Sequence, residues 1–198
     1  MELNDSLEFF APLAAIFDEL GIEYRLGGSV ASSVHGMPRG TNDVDVEAAI
    51  GSQHIEELVR RLENEWIITP EMVRDAMLRR SSFNLIPYDG IAKIDVFFSK
   101  GRAFDLTAAA RRQRNVILDD GTVSPFWYDS PEDTVLRKLE WYRIGGETSN
   151  QKWLDVLAVL KAQTFDIDLD YLEKWARELN ISDLLKKALD ESGLSDEA

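Results

Sequence analysis

The chain has no cysteine and only two histidines, His35 and His54, among its 198 residues. Disulfides and thiolate zinc sites are thereby excluded, and two histidines cannot build a histidine-rich metal centre. Basic residues are also scarce: 22 Lys and Arg stand against 36 Asp and Glu, a formal net charge of −14. A chain of that sign does not bind DNA or RNA broadly, because such binding is mostly neutralisation of phosphates by Lys and Arg. A local basic patch remains compatible with the balance. Arg111, Arg112 and Arg114, with Arg79 and Arg80, are its candidates, and a solvated face is the ordinary alternative for each cluster. Neither a run of eighteen apolar residues nor a basic-then-apolar leader is present, so a cytoplasmic protein without membrane contact is expected. Hard-metal chemistry through carboxylates is what these absences leave.

What is present is ordinary globular material, with 44% hydrophobic and 10% aromatic residues. The length suffices for one large domain or for a core with a small appendage. The organising stretch runs from Tyr24 to Ala49. Ile22–Leu26 is a short branched and aromatic run that reads as a strand, and it breaks at Gly27-Gly28 into a small-residue segment, Ser29–Val34, suited to a helix. Glycine permits positive φ and leaves no Cβ to block a ligand, and a helix start aims unpaired N–H groups outward. Ser29 serves there as an N-cap or as a hydroxyl donor to a phosphate.

Gly36, Pro38 and Gly40 then mark a loop. After it Val44 and Val46 alternate with Asp43, Asp45 and Glu47, the period of a strand. Two aspartates on one face repel unless a positive charge sits between them, and such oxygen pairs suit Mg²⁺ or Mn²⁺ together with substrate phosphates. Taken singly, a Gly-Gly after a strand is usually a turn and Asp-x-Asp a solvated edge.

Their order and spacing carry more. Gly27-Gly28-Ser29, thirteen intervening residues and then Asp43-Val44-Asp45 resembles the signature of the polymerase-β-type nucleotidyltransferase superfamily. The run Arg39-Gly40-Thr41-Asn42-Asp43-Val44-Asp45 more narrowly resembles the AbiEii-type branch, which includes toxins of bacterial toxin–antitoxin and phage-defence systems. The resemblance implies that Gly27, Gly28 and Ser29, with Arg39 and Thr41 beside them, bind the nucleoside triphosphate. It also implies that Asp43, Asp45 and a third carboxylate from a later strand bind two divalent metals.

The remaining chain supplies a candidate. Leu3–Leu20 fits an amphipathic helix ending at Gly21, Ser52–Glu65 a second covering helix and Pro70–Arg80 a third, with His54 at the surface. Ser82–Pro87 and Ile91–Phe98 read as strands joined by the hairpin signal Tyr88-Asp89-Gly90. In the second, Asp95 is an acid in an otherwise apolar strand, costly unless partnered. A salt bridge to Lys93 or an Arg is one explanation, and the required third carboxylate is the other.

Gly101–Ala110 reads as a helix; Arg114–Leu118 and Thr122–Phe126 read as a hairpin with Pro125 at an edge or end. Helices follow from Ser130-Pro131: Pro131–Ile144, then from Ser149 or Asn150 to Lys161, then Leu169–Leu179 and Ile181–Leu189, with a fraying end from Ser192. Lys138 and Asp155 match a lysine and an aspartate that the AbiEii-type branch carries on its downstream helices. The resemblance gives Lys138 the task of balancing triphosphate charge and Asp155 that of orienting it or the base.

The expected fold is α+β, a mixed nucleotidyltransferase-like sheet flanked by helices over residues 1–128 and a C-terminal helical region over 129–198. The expected activity is metal-dependent transfer of a nucleotidyl group from a triphosphate to a hydroxyl. Asp43 and Asp45 would bridge the metals, and Asp95 would hold the acceptor-side metal or take the hydroxyl proton. The acceptor is a small molecule, a protein or a tRNA end, and a toxin would have a cognate antitoxin. The alternatives are an antibiotic-adenylylating enzyme of the aminoglycoside type and a non-catalytic nucleotide-binding or antitoxin-like module.

Overall fold

The computed structural model describes residues 1–88, 90 and 92–194. Asp89 and Ile91, within the expected hairpin turn, and residues 195–198 of the expected frayed end lie outside the described residues.

Helix α1 (Leu3–Leu20) buries Leu7, Phe10, Leu13, Ala14 and Phe17 and stops at Gly21, whose φ of 67° lets its amide turn back to the carbonyls of Asp18 and Phe17. Strand β1 (Tyr24–Leu26) follows, then α2 (Gly28–His35) and β2 (Asp43–Ala48). A 3₁₀ turn at Ser52–His54 leads into α3 (Ile55–Leu62), so the expected helix starts later and ends earlier than its apolar pattern suggested. Next come β3 (Trp66–Ile67), α4 (Pro70–Arg79), β4 (Ser82–Pro87), β5 (Lys93–Phe97) and α5 (Ala103–Arg111). The hairpin β6 (Gln113–Ile117) and β7 (Val123–Tyr128) completes the strands. Four helices close the chain: α6 (Pro131–Ile144), α7 (Asn150–Ala162), α8 (Leu169–Glu178) and α9 (Ser182–Ser192).

The strands form one mixed sheet of order β3-β4-β5-β2-β1-β7-β6. β2 therefore runs through its centre, antiparallel to β1 and parallel to β5. The two-residue β3 carries too short a signal to read from sequence. Pro125 lies in a strand that is internal by order, but β7 pairs with β1 at Tyr128, so the missing N–H of Pro125 falls beside the bulge between Arg114 and Val116.

Two apolar clusters fill the described structure. One packs α1, α3 and α4 on the sheet, and the other packs α6 to α9 together with Phe104 and Ala108 of α5. Between them lies a cleft of about 460 Å³.

Candidate active site

The register of the sheet assembles the site. Leu26 pairs with Val46, so the next residue, Gly27, falls beside Asp45 and donates its amide to the Asp45 carbonyl at 2.9 Å. The glycine turn and the Asp-x-Asp strand, far apart in sequence, are thus hydrogen-bonded neighbours. Gly27 is the N-cap of α2, and Gly28 begins the helix at a φ of +54°. A Cβ on Gly28 would overlap the Asp45 carboxylate, lying 2.6 Å from its Cγ and 2.8 Å from its Cβ. Glycine here is required both by the backbone and by the acid facing it.

On the other side of β2, Asp45 pairs in register with Asp95 and Asp43 with Lys93. Directly opposed residues of neighbouring strands point to the same face, so Asp43, Asp45 and Asp95 share one. Asp45 is half-buried, and burial first, then the Asp95 charge, push its carboxyl up to about 6. Asp95 Oδ2 accepts from Lys93 Nζ at 2.7 Å, while its Oδ1 is buried without a hydrogen-bond partner. Lys93 Nζ also stands 3.9 Å from Asp43 Oδ1. The salt bridge that offered one explanation of Asp95 is therefore present, and it sits among the acids themselves.

Among the described residues no three His, Cys, Asp or Glu side chains enclose a metal position as they stand. The donors nonetheless suit a hard divalent ion: they are all carboxylate oxygens, two are adjacent across a strand pair, one buried oxygen lacks a partner, and the charge between them is a flexible ammonium.

The helical region contributes a second cluster. Asp155 on α7 accepts from Lys138 Nζ of α6 at 2.6 Å, from Arg39 Nη2 and Nε at 2.9 and 3.1 Å, and from Gln151 at 2.9 Å. Burial would raise its carboxyl, but Arg39 and Lys138 outweigh burial and hold it at about 2. Lys138 is lowered by its own burial, against the pull of Asp155. Arg39 Nη2 also donates to Ser29 Oγ at 2.7 Å, leaving the Ser29 hydroxyl hydrogen free to be donated elsewhere. Arg39, Ser29, Lys138 and Asp155 are thus one network across the cleft.

Gly27, Gly28, Ser29, Arg39, Asp45, Lys138 and Asp155 all line the cleft. The Gly27 amide is not available to a phosphate, because Asp45 already takes it. The first-turn amides of α2 at Gly28, Ser29 and Val30 are the donors without intrahelical partners. Thr41 does not line the cleft: its hydroxyl accepts from the Asp43 amide at 3.2 Å and donates to the Asp43 carbonyl at 3.0 Å, fixing the start of β2. Asp43 is exposed at the outer end of the acidic face.

Sequence reasoning passed over a third group. Buried Arg25 meets Asp129 at 2.6 Å and Glu47 at 2.8 Å, and Arg137 reaches Asp129 and Glu47 at 3.3 Å each. Asp105 pairs with Arg102 at 3.0 Å, and Arg102 also holds Glu140. The available signal was Arg25 itself, a charge between Tyr24 and Leu26 in a three-residue buried strand. Of the suggested basic patch, Arg111 pairs with Glu132, Arg112 with Glu23, Arg114 with Asp18 at 3.9 Å and Arg79 with Asp75, while Arg80 donates to the uncharged Lys100 carbonyl.

No family model matches the sequence, and no curated protein matches it. Its fold is similar to that of an antigenic nucleotidyltransferase-like protein from Paracoccidioides brasiliensis, at a TM-score of 0.62 and 16% identity over 98% of this chain and 93% of that one. It is also similar to the antibiotic-resistance factor ANT(2'')-Ia in solution, at a TM-score of 0.52 and 14% identity over 95% and 96% of the two chains. Against the crystal structure of ANT(2'')-Ia in complex with adenylyl-2''-tobramycin the TM-score is 0.53, with 12% identity over 89% and 97%. At these identities the likeness is one of architecture, and the chain has the nucleotidyltransferase-like α+β fold, a seven-stranded mixed sheet flanked by helices.

Proposed function

We propose that the protein is a nucleotidyltransferase that moves a nucleoside monophosphate from a triphosphate to a hydroxyl acceptor. The observation that carries this is the meeting of Asp45 with Asp95 across parallel strands, directly against the Gly28 turn that starts a helix. Asp43, Asp45 and Asp95 would hold divalent Mg²⁺ or Mn²⁺, which supplies stabilisation to the attacking and leaving oxygens of an in-line displacement. The amides at the start of α2 and the Ser29 hydroxyl bind phosphate oxygens, with Arg39 fixing that hydroxyl. Lys138 adds a positive charge to the same wall, and Asp155 positions both cations. A carboxylate of the acidic face takes the proton of the attacking hydroxyl.

Charge in the cleft bears on the acceptor. Seven basic and six acidic residues line it, in a chain where acids outnumber bases 36 to 22. The cleft carboxylates beyond the aspartate face, Glu47, Asp105, Asp129, Glu140 and Asp155, are each held by an Arg or Lys. Lys100 and Lys152, also in the lining, have no carboxylate partner among the described residues. These two lysines, without carboxylate partners, suit a phosphate-bearing or neutral acceptor better than a polycationic aminoglycoside. The acceptor is therefore a tRNA end, a protein or an uncharged small molecule rather than an aminoglycoside. The run Arg39–Asp45 supports a role in a toxin–antitoxin or phage-defence system with a cognate antitoxin.

The test is label transfer from α-labelled triphosphates with Mg²⁺ or Mn²⁺, offered total tRNA, total protein or an aminoglycoside, with wild type against Asp45→Ala. Transfer to one of the first two pools, lost by at least roughly a hundredfold in the variant, is expected, in line with removal of a group that holds transition-state charge. Equal incorporation by both proteins refutes the assignment, and transfer confined to the aminoglycoside refutes the acceptor. Growth arrest on expression, relieved by Asp45→Ala, is expected of a toxin.

A further inference from the structure

The metal-dependent reading leaves Lys93 unexplained. It alternates with Asp95 and Phe97 along β5, and the register that sets Asp95 against Asp45 sets Lys93 against Asp43. Its ammonium lies 2.7 Å from Asp95 and 3.9 Å from Asp43, at distances that place a full positive charge within the acidic face. Lys138, the other cation whose charge acts on Asp45, is engaged by Asp155 at 2.6 Å and donates to none of the three aspartates. The Lys93 side chain is 34% exposed, so it has solvent to move into, whereas the Asp95 side chain is only 16% exposed.

We propose that Lys93 is the resident counter-cation of the metal site: it neutralises Asp95 and Asp43 while the site is empty of metal and is displaced toward solvent when a divalent ion enters. The inference rests on the metal-dependent function above. Carboxylates facing each other across adjacent strands repel, and a lysine on the same strand relieves that repulsion without occupying the second buried oxygen, Oδ1 of Asp95. A dication entering alone must break the Lys93–Asp95 bond and meet a like charge at short range. The site consequently binds free metal weakly and fills when the metal arrives with a triphosphate, whose negative charge offsets the displaced ammonium.

Two measurements test this on the full chain without nucleotide. Titration with Mn²⁺, following free ion by electron paramagnetic resonance, compares wild type with Lys93→Gln; roughly tenfold or tighter binding by the variant is expected from loss of the opposing charge. Labelling of wild type with an amine-reactive reagent, read by mass spectrometry, is expected to modify Lys93 several-fold faster when Mn²⁺ is bound. Equal or weaker binding by Lys93→Gln, or Lys93 labelling unchanged by bound Mn²⁺, overturns the role of Lys93 alone. Absence of Mn²⁺ binding by both proteins even after a non-hydrolysable triphosphate is added overturns the metal reading itself. Should Lys93→Gln fail to fold, the labelling result on wild type decides.

Discussion

Replacing Gly28 by alanine separates two costs that the structure places at one position. The first is conformational: at φ +54° an L-residue with a Cβ loses roughly 1–2 kcal/mol relative to glycine. The second is steric, because the new methyl would overlap the Asp45 carboxylate and lie 2.8 Å from the Asp45 Cβ, an atom fixed to the central strand. Rotating the carboxylate does not move that atom, so β2 or α2 must shift, at about 1–3 kcal/mol for a typical overpacked site. The sum is about 2–5 kcal/mol. Gly21 supplies the internal control: its φ is +67°, yet nothing lies within 4 Å of a Cβ built there, so Gly21→Ala carries the conformational cost without the clash. Urea denaturation of both variants in EDTA measures the difference. Gly28→Ala is expected to lose at least about 1 kcal/mol more than Gly21→Ala, the lower end of the overpacking range. Equal losses would show that the glycine turn does not press on Asp45, and the proposed coupling of phosphate turn to metal strand would fail with it.

Further outcomes follow from the charged groups. Asp155→Asn leaves Lys138, only 7% exposed, without its carboxylate and is expected to cost about 3–5 kcal/mol. Lys138→Met leaves Asp155 still bound by Arg39 and Gln151 and is expected to cost about 1–2 kcal/mol, so a reversed order in urea melts would contradict the hub role of Asp155. Asp45 behaves in the opposite sense. Its folded-state carboxyl is raised from 3.8 to about 6, so the native state holds that proton more tightly than the unfolded chain and stability falls as pH rises from about 4 to about 6. In metal-free buffer Asp45→Asn is therefore expected to be more stable than wild type at pH 7.5, by about 1–3 kcal/mol, with the gain vanishing near pH 4. A variant that is less stable than wild type at pH 7.5 would refute the raised carboxyl.

Periodicity made the sheet strands around the site legible. Val44 and Val46 alternate with the acids and are fully buried, and the hairpin strands β4 and β5 pair as their pattern suggests. Helix limits were legible where chemistry punctuates them: Gly21 stops α1, and Ser130-Pro131 starts α6 with the serine hydroxyl accepting from the Asp133 amide. β3 was not, because two residues have no period. Within the site, Asp43 and Asp45 could be placed on one face because strand alternation fixes direction, whereas Asp95 joins that face through the β2–β5 register. Which donors each side chain meets could not be read, since pairing across elements depends on register. The Gly27 amide is spent on Asp45 for that reason, while the Thr41 hydroxyl turns locally onto the start of its own strand. The group formed by Arg25, Glu47, Asp129 and Arg137 draws on three distant segments, and no local motif announces it.

That group bears on why the cleft is built from charge. The apolar residues segregate into two clusters, and the layer between them is largely ionic, with Arg25, Glu47, Asp129, Arg137 and the Arg39–Asp155–Lys138 network in it. Stability does not require this choice, since burying an ion pair costs desolvation that its attraction only roughly returns, and apolar residues of similar volume often serve as well. Apolar side chains would close the two clusters onto each other. Paired charges instead hold the walls at hydrogen-bonding distance: Arg39 spans Ser29 and Asp155, and two buried Arg137 nitrogens have carboxylates 3.3 to 3.7 Å away. A strongly acidic chain has thus placed seven of its 22 basic residues where the sheet and the helices meet, an arrangement that fits the proposed triphosphate site.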